Sequence, residues 1–171
     1  PRRHRTTLPL LPPIDAALPE GGLALAALHE IVSAGPDIEH GAAAALFIAG
    51  ILARQRGPVL WALQCADLFA PGLAAAGLHP DRVIYAEPGS DKGVLACFEE
   101  GLRHGGLAGV VGEIGRLAMT PSRRLQLAAE SSGTIGIAIR RWRRPAEAAD
   151  FGQPTASTTR WRVSALPASP L

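Results

Sequence analysis

Four guanidinium groups crowd around one indole in Arg140-Arg141-Trp142-Arg143-Arg144, the densest run of chemically capable side chains in the sequence. A guanidinium can bond a phosphate through two N–H groups of one planar fork, and an indole can stack on an unpaired base, so the combination suits single-stranded nucleic acid. The same five residues would also serve as a docking surface for an acidic peptide, or stand as a solvated basic cluster with no direct role. All three readings stay open at the level of sequence. Arg160 and Arg162 add to this basic end, but the residue between them differs: alternation along Thr158-Thr-Arg-Trp-Arg-Val163 makes Trp161 a packed residue of an edge strand.

A second stretch has the frame of a phosphate-binding loop without its chemistry. An apolar strand through Leu28-His-Glu-Ile31 leads into Gly35-Pro36, and Gly41 opens an Ala-rich helix. A working loop of this kind places Lys and then Ser or Thr directly after its last glycine, for the β/γ-phosphates and for Mg²⁺. Ala42 and Ala43 stand in those places, and Glu39 would repel a triphosphate. The expectation is a plain strand-to-helix turn with no bound cofactor and no ATPase activity.

Other candidates carry less. No two histidines have metal-ligand spacing and no two carboxylates form an acid–base dyad, so Glu99, Glu100 and the five histidines read as ordinary surface groups. Cys65 and Cys97 are far apart and outside any Cys-x-x-Cys pattern, which predicts reduced, half-buried thiols and no metal site. Ser131-Ser132 lacks the Gly-x-Ser-x-Gly elbow of a nucleophile.

At 171 residues the chain is one domain of ordinary size, and its apolar content is rich in alanine and leucine with only 5% aromatics. Thin elements packed closely on a sheet follow from that composition. Net charge is only +2, and it is unevenly spread: Lys92 is the one lysine, Arg2, Arg3 and Arg5 lie at the start, and most of the remaining density is in the last third. The longest apolar run, Ala42 to Ala53, is too short for a membrane span and no cleavable leader precedes it, so a cytoplasmic location is expected. The sequence opens on Pro1 rather than Met, and an additional N-terminal piece is expected before it.

These residues must be held by a recognisable run of elements. Pro1 to Pro13 is basic and Pro-rich and reads as an extended arm; Ile14 to Leu18 makes a short helical turn. Breakers then separate strands near Ala27–Ser33, Val59–Leu63, Val83–Ala86, Leu107–Gly112, Thr134–Ile139 and Thr158–Val163. Between them lie an all-round apolar helix over about Gly41–Gln55, a short helix at Pro71–Gly77, a one-striped helix capped by Ser90 and ending near His104, and a helix starting at Thr120-Pro121. Pro145 to Ser157 reads as a loop. Alternating strands and helices imply an α/β fold with a mostly parallel twisted sheet covered on both faces.

That order, together with Ile14-Asp-Ala-Ala-Leu18 and Gly21-Gly-Leu23, resembles a RecA-like P-loop NTPase core with a degenerate phosphate loop, divided as arm 1–13, core 14–166 and tail 167–171. More closely, Leu28-His-Glu-Ile31, Gly57-Pro-Val-Leu-Trp61, Ala70-Pro-Gly-Leu-Ala-Ala-Ala-Gly-Leu78, Ser122-Arg-Arg-Leu-Gln-Leu-Ala128 and Thr159-Arg-Trp-Arg-Val163 resemble the ImuA family, RecA-related accessory factors of damage-inducible mutagenesis. The resemblance puts the usual water-orienting Glu near Gln64 or Cys65, the Mg²⁺-holding Asp near Glu113, and a DNA-contacting loop at Arg140 to Arg144. It implies a non-catalytic adaptor in the SOS response, assisting ImuB and an error-prone C-family DNA polymerase in translesion synthesis at the nucleoid, with RecA or single-stranded DNA as further contacts and homo-oligomers as an allowed state. The alternative it implies is an SOS cell-division inhibitor that binds the division GTPase.

Overall fold

A computed structural model describes residues 6–167 of the chain. Arg2, Arg3 and Arg5 of the arm, and residues 168–171 of the tail, lie outside the described residues.

The short apolar runs bounded by breakers form a six-stranded sheet: β3 (Leu28–Ser33), β4 (Val59–Ala62), β5 (Val83–Ala86), β6 (Gly109–Ile114), β7 (Gly136–Arg140) and β8 (Thr159–Val163), in the spatial order β5-β4-β6-β7-β3-β8. Every pairing in it is parallel. Parallel neighbours need crossovers, and helices supply them on both faces. α2 (Asp37–Ala53) and α3 (Ala70–Ala75) cover one face, where Ile48, Leu52 and Leu73 pack with Ile31 and Trp61 of the sheet. α4 (Asp91–His104) and α5 (Met119–Ser132) cover the other, where Phe98, Leu102 and Leu125 pack with Leu28, Val110 and Ile114. The fold is α/β, as the alternation of elements predicts.

Close packing between thin elements takes a concrete form at two glycines. A Cβ on Gly112 of β6 would sit 2.5 Å from the Phe98 ring, and one on Gly101 of α4 would sit 2.6 Å from Leu60. The bare backbone lets α4 settle onto the sheet. Its ends follow the sequence: the Ser90 hydroxyl accepts from the Gly93 N–H at 3.1 Å, and Gly105 closes the helix with φ 69°.

Several boundaries differ from the sequence expectation. The described part of the arm is extended at β1 (Thr7–Leu8), which pairs antiparallel with β2 (Leu23–Ala24), and the Arg54 guanidinium donates to the Pro9 and Leu10 carbonyls. Its prolines do not bar a helix, however. Pro12 and Pro13 open α1 (Pro12–Asp15), in the first turn where a missing N–H costs nothing. α5 starts at Met119 rather than at Thr120, and the stretch 145–157 contains a short helix, α6 (Pro145–Ala148), followed by a 3-10 turn at Ala149–Gly152. β7 runs one residue past Ile139, which draws Arg140 into the sheet. Among the described residues no helix is long and apolar enough to cross a membrane.

Candidate functional site

In an open parallel sheet, ligands meet the crevice beyond the carboxyl ends of the strands, so the ends of β3, β6 and β7 and the first turn of α2 are the place to build a site. β3 ends at Ser33 and α2 already begins at Asp37, four residues ahead of Gly41. Only Ala34, Gly35 and Pro36 lie between, which is too little chain to wrap a phosphate. Neither Gly35 nor Gly41 has a positive φ. They are small for another reason: a Cβ on Gly35 would lie 2.9 Å from the His40 ring, and one on Gly41 would lie 2.7 Å from the Asp37 carboxylate.

Asp37 therefore carries a negative charge in the first turn of α2, where the helix dipole and unpaired N–H groups favour an anion. The Arg141 guanidinium forks onto this carboxylate, Nε donating to Oδ1 at 2.8 Å and Nη2 to Oδ2 at 2.5 Å. Its Nη1 donates to Glu113 Oε2 at 2.9 Å, and its Nη2 reaches Asp67 at 3.2 Å. The backbone joins in, since the Asp37 N–H donates to the Trp142 carbonyl at 3.0 Å. Burial alone would lower the Arg141 pKa, but the Asp37 hydrogen bonds and the Glu113, Asp37 and Asp67 charges outweigh it and raise it. Arg141 is a permanent internal cation.

Glu113 sits near the end of β6, fully buried, with Trp61 Nε1 donating to it at 3.3 Å and Arg143 Nη2 at 3.3 Å. Burial pushes its carboxyl up, and Arg141, Arg143 and the Trp61 N–H offset that only in part. Arg143 also donates to Gln64 Oε1 at 2.9 Å and reaches Asp67 at 3.2 Å. Gln64 donates onward to Asp91, which accepts the N–H groups of Gly115 at 3.1 Å and Arg116 at 3.3 Å. The positions that the RecA-like resemblance assigns to a water-orienting Glu and a metal-holding Asp are thus tied into one internal lattice of carboxylates and guanidiniums.

A second buried network lies beside it. Arg140 is fully buried and donates to Glu30 at 3.0 Å, to the Gly115 carbonyl at 3.2 Å and to Asp150, with the Phe151 ring 5.4 Å below its guanidinium carbon. Glu30 also accepts from Ser157 at 2.8 Å, from Thr155, and from Arg160 at 3.3 Å. Burial would raise Glu30; the hydroxyls of Thr155 and Ser157 and the charges of Arg160 and Arg140 reverse that and hold it below the ordinary carboxylate value.

These contacts correct the sequence reading of the basic cluster. Arg140 and Arg141 are not loop residues facing solvent but buried ions with carboxylate partners of their own. Trp142 packs edge-on against Phe151 with ring centroids 5.9 Å apart, and Arg143 is held by Gln64, Asp67 and Glu113. Arg144 alone in the run projects outward, its side chain 80% exposed, and it pairs with Glu147 at 2.9 Å. Arg160 is tied to the Phe151 and Gln153 carbonyls, and Arg162 to the Ala34 carbonyl. Trp161 packs on Phe47 at 5.4 Å, as its alternation predicts.

The groups expected at the surface need correction too. His29 and Glu99 are buried; Glu99 bridges Arg103 and Arg124, and His29 contacts Thr159 Oγ1 and the Ala24 carbonyl, each at 2.7 Å. Cys97 is half-buried as expected, whereas Cys65 is exposed. Among the described residues no group of three or more His, Cys, Asp or Glu could hold a metal ion. The residues missed by sequence reasoning are the carboxylates Glu30, Asp37, Asp67 and Asp150, together with the ion pairing of Glu113. Glu30 and Glu113 left a signal: each is a charge inside an otherwise apolar central strand, which demands a buried partner.

Comparison with known proteins places this geometry in context. No family model matches the chain. It is 37% identical over 179 residues to Protein ImuA of Caulobacter vibrioides, in each of two strains, a match covering 97% of this chain and 72% of that protein. Among solved structures, SulA from Pseudomonas aeruginosa superposes with a TM-score of 0.54 at 24% identity, over 66% of this chain and 96% of that one. That second likeness is one of fold.

Proposed function

The chain belongs to the ImuA family, and from that premise we propose that it is a non-catalytic adaptor in damage-inducible mutagenesis, assisting ImuB and an error-prone C-family polymerase through its surface. The observation that carries the non-catalytic part is the filled first turn of α2. Where a phosphate loop would offer free N–H groups and a lysine, the chain has Asp37 locked onto Arg141, with Ala42 and Ala43 about one and a half turns further along the helix. A triphosphate entering there would meet the carboxylates of Asp37 and Asp67 and would have to break an internal ion pair. Phosphoryl transfer relies on positioned cations and an oriented water, and the groups that could supply them are occupied with one another.

The same occupancy argues for protein contact over single-stranded DNA. A nucleic-acid groove needs guanidiniums free to meet phosphates and an indole free to stack, whereas Arg140, Arg141 and Trp142 are engaged inside the molecule. The cell-division alternative draws on the fold likeness to SulA, which spans 66% of this chain, against 97% for the ImuA match, and the longer match supports the adaptor. Deleting the gene separates the two. Loss of damage-induced mutation with filamentation intact supports the adaptor; loss of filamentation with mutation intact supports the inhibitor.

A further inference from the structure

α2 is apolar on nearly every side, yet it buries only the stripe through Ala44, Ala45, Ile48, Ala49, Ile51 and Leu52. What remains on its outer face is unusual for a surface helix: Ile38 is 94% exposed and Leu46 41% exposed, and Phe69, just ahead of α3, is 72% exposed. These three are not scattered. They rim one cleft of about 270 Å³ between α2 and α3, with Gly41, Ala42 and Gly72 among its lining and the Asp37, Asp67 and Arg141 cluster at one end.

Shape and charge together select the ligand. Ile38, Ala42 and Leu46 succeed one another at four-residue spacing, so the apolar wall extends along two turns of α2, about 12 Å, the reach of a helix anchoring side chains at i, i+4 and i+7. The small residues let such a helix approach closely; a Cβ at Gly72 would already touch Phe69 at 3.2 Å. At the polar end, the two carboxylates that line the cleft, Asp37 and Asp67, face one guanidinium, Arg141. Asp67 is the more open of the two, with its side chain 46% exposed. One negative charge is left in excess where an incoming helix would end.

We propose that the cleft between α2 and α3 is a docking groove for an amphipathic helix of a protein partner, one carrying two or three aliphatic or aromatic anchors on one face and a Lys or Arg that meets Asp67. The inference deepens the adaptor reading and rests on it for the identity of the partner, but not for the chemistry of the helix.

Two measurements on the full chain keep these apart. In the first, a phage-displayed library of helix-constrained random peptides is selected against the protein. Enriched peptides are expected to carry apolar residues at i, i+3 or i+4 and i+7 with a basic residue at one end. They should bind the Phe69→Ala and Asp67→Asn variants at least about tenfold more weakly. Leu127→Ala, at an exposed residue of α5 on the other face of the sheet, should bind as the parent does. Phe69 is itself exposed, so thermal melts of its variant should match the parent. Peptides without the basic residue, or with undiminished affinity for Phe69→Ala, overturn the proposal.

In the second measurement, purified ImuB is titrated into parent and variants. Weaker binding to Phe69→Ala and Asp67→Asn supports the groove as its site; equal binding removes ImuB as the groove's occupant, leaves the adaptor reading standing, and the peptide selection decides the groove. No binding to the parent removes the adaptor reading, while the peptide selection still decides the groove. Self-association of the parent that Phe69→Ala abolishes assigns the cleft to a second copy and also overturns the proposal.

Discussion

Replacing Arg141 by Ala removes the cation on which Asp37, Glu113 and Asp67 converge, and its cost can be worked from what each carboxylate retains. Asp37 keeps the favourable end of α2 and its side chain is 15% exposed, so water can take over part of the lost contact. Asp67 is more open still. Glu113 is fully buried and cannot turn to solvent, but Arg143 remains 3.3 Å away. Removing one member of a buried pair costs about 3–5 kcal/mol, and the surviving Arg143 contact places this variant near 3 kcal/mol. With a urea slope of about 2 kcal/mol per molar, the midpoint should fall by about 1.5 M in equilibrium unfolding followed by circular dichroism.

The loss should also depend on pH. With Arg141 gone, the Glu113 pKa rises further above its ordinary 4.5, so the folded variant binds a proton that the unfolded chain releases. Stability of the variant is then retained below the ordinary value and lost as pH rises through the raised one, making the deficit larger at pH 8 than at pH 5. Adding Glu113→Leu to an Arg141→Met background should recover part of the loss, because an apolar pair can replace a buried ion pair. A shift below about 1 kcal/mol, the size of a surface pair, with no pH dependence would refute the reasoning.

Four further outcomes follow from other parts of the structure. Glu30 titrates below its ordinary value in the folded state, so its contribution is present above pH 4.5 and is lost as pH falls through the lowered value; Glu30→Gln should be less stable at neutral pH and lose less on acidification to pH 3, read by urea midpoints at both. Gly112→Ala forces a Cβ to within 2.5 Å of the Phe98 ring and should cost about 1–3 kcal/mol, measured by thermal or urea unfolding. Arg144→Ala removes the guanidinium from the buried Glu147 carboxylate but leaves it the Arg143 and Arg144 backbone N–H groups, and should cost about 1–2 kcal/mol, while Arg140→Ala should destabilise the fold severely.

The strands and most helices were legible because their signals are local. Gly57-Pro58 separates α2, which stops at Ala53, from β4, Ser90 caps α4, and Gly105 stops it. The start of α2 was misread because Gly35-Pro36 and Gly41 look like the two edges of a loop, whereas Pro36 directly precedes the helix and Gly41 is small only to admit the Asp37 carboxylate. The basic cluster was misread for a different reason. Strand β7 does not stop at its last apolar residue, and in a sheet covered on both faces every side chain of a central strand is buried, including Arg140. The carboxylates that make this tolerable, Glu30 for Arg140 and Asp37 for Arg141, are more than a hundred residues away in sequence. Pairing across that distance leaves no periodicity to read. The unusual charges inside β3 and β6 were the available warning.

The filled first turn of α2 is tested most directly by isothermal titration of Mg-ATP into the full chain. No saturable heat is expected at millimolar nucleotide, and no change when Arg141 is retained but Ala42 and Ala43 are replaced by Lys and Thr, because Asp37 still holds the turn. Saturable micromolar binding by the parent protein would show that the Asp37–Arg141 lattice opens to a nucleotide, and would contradict the claim that this internal ion network has taken the nucleotide's place.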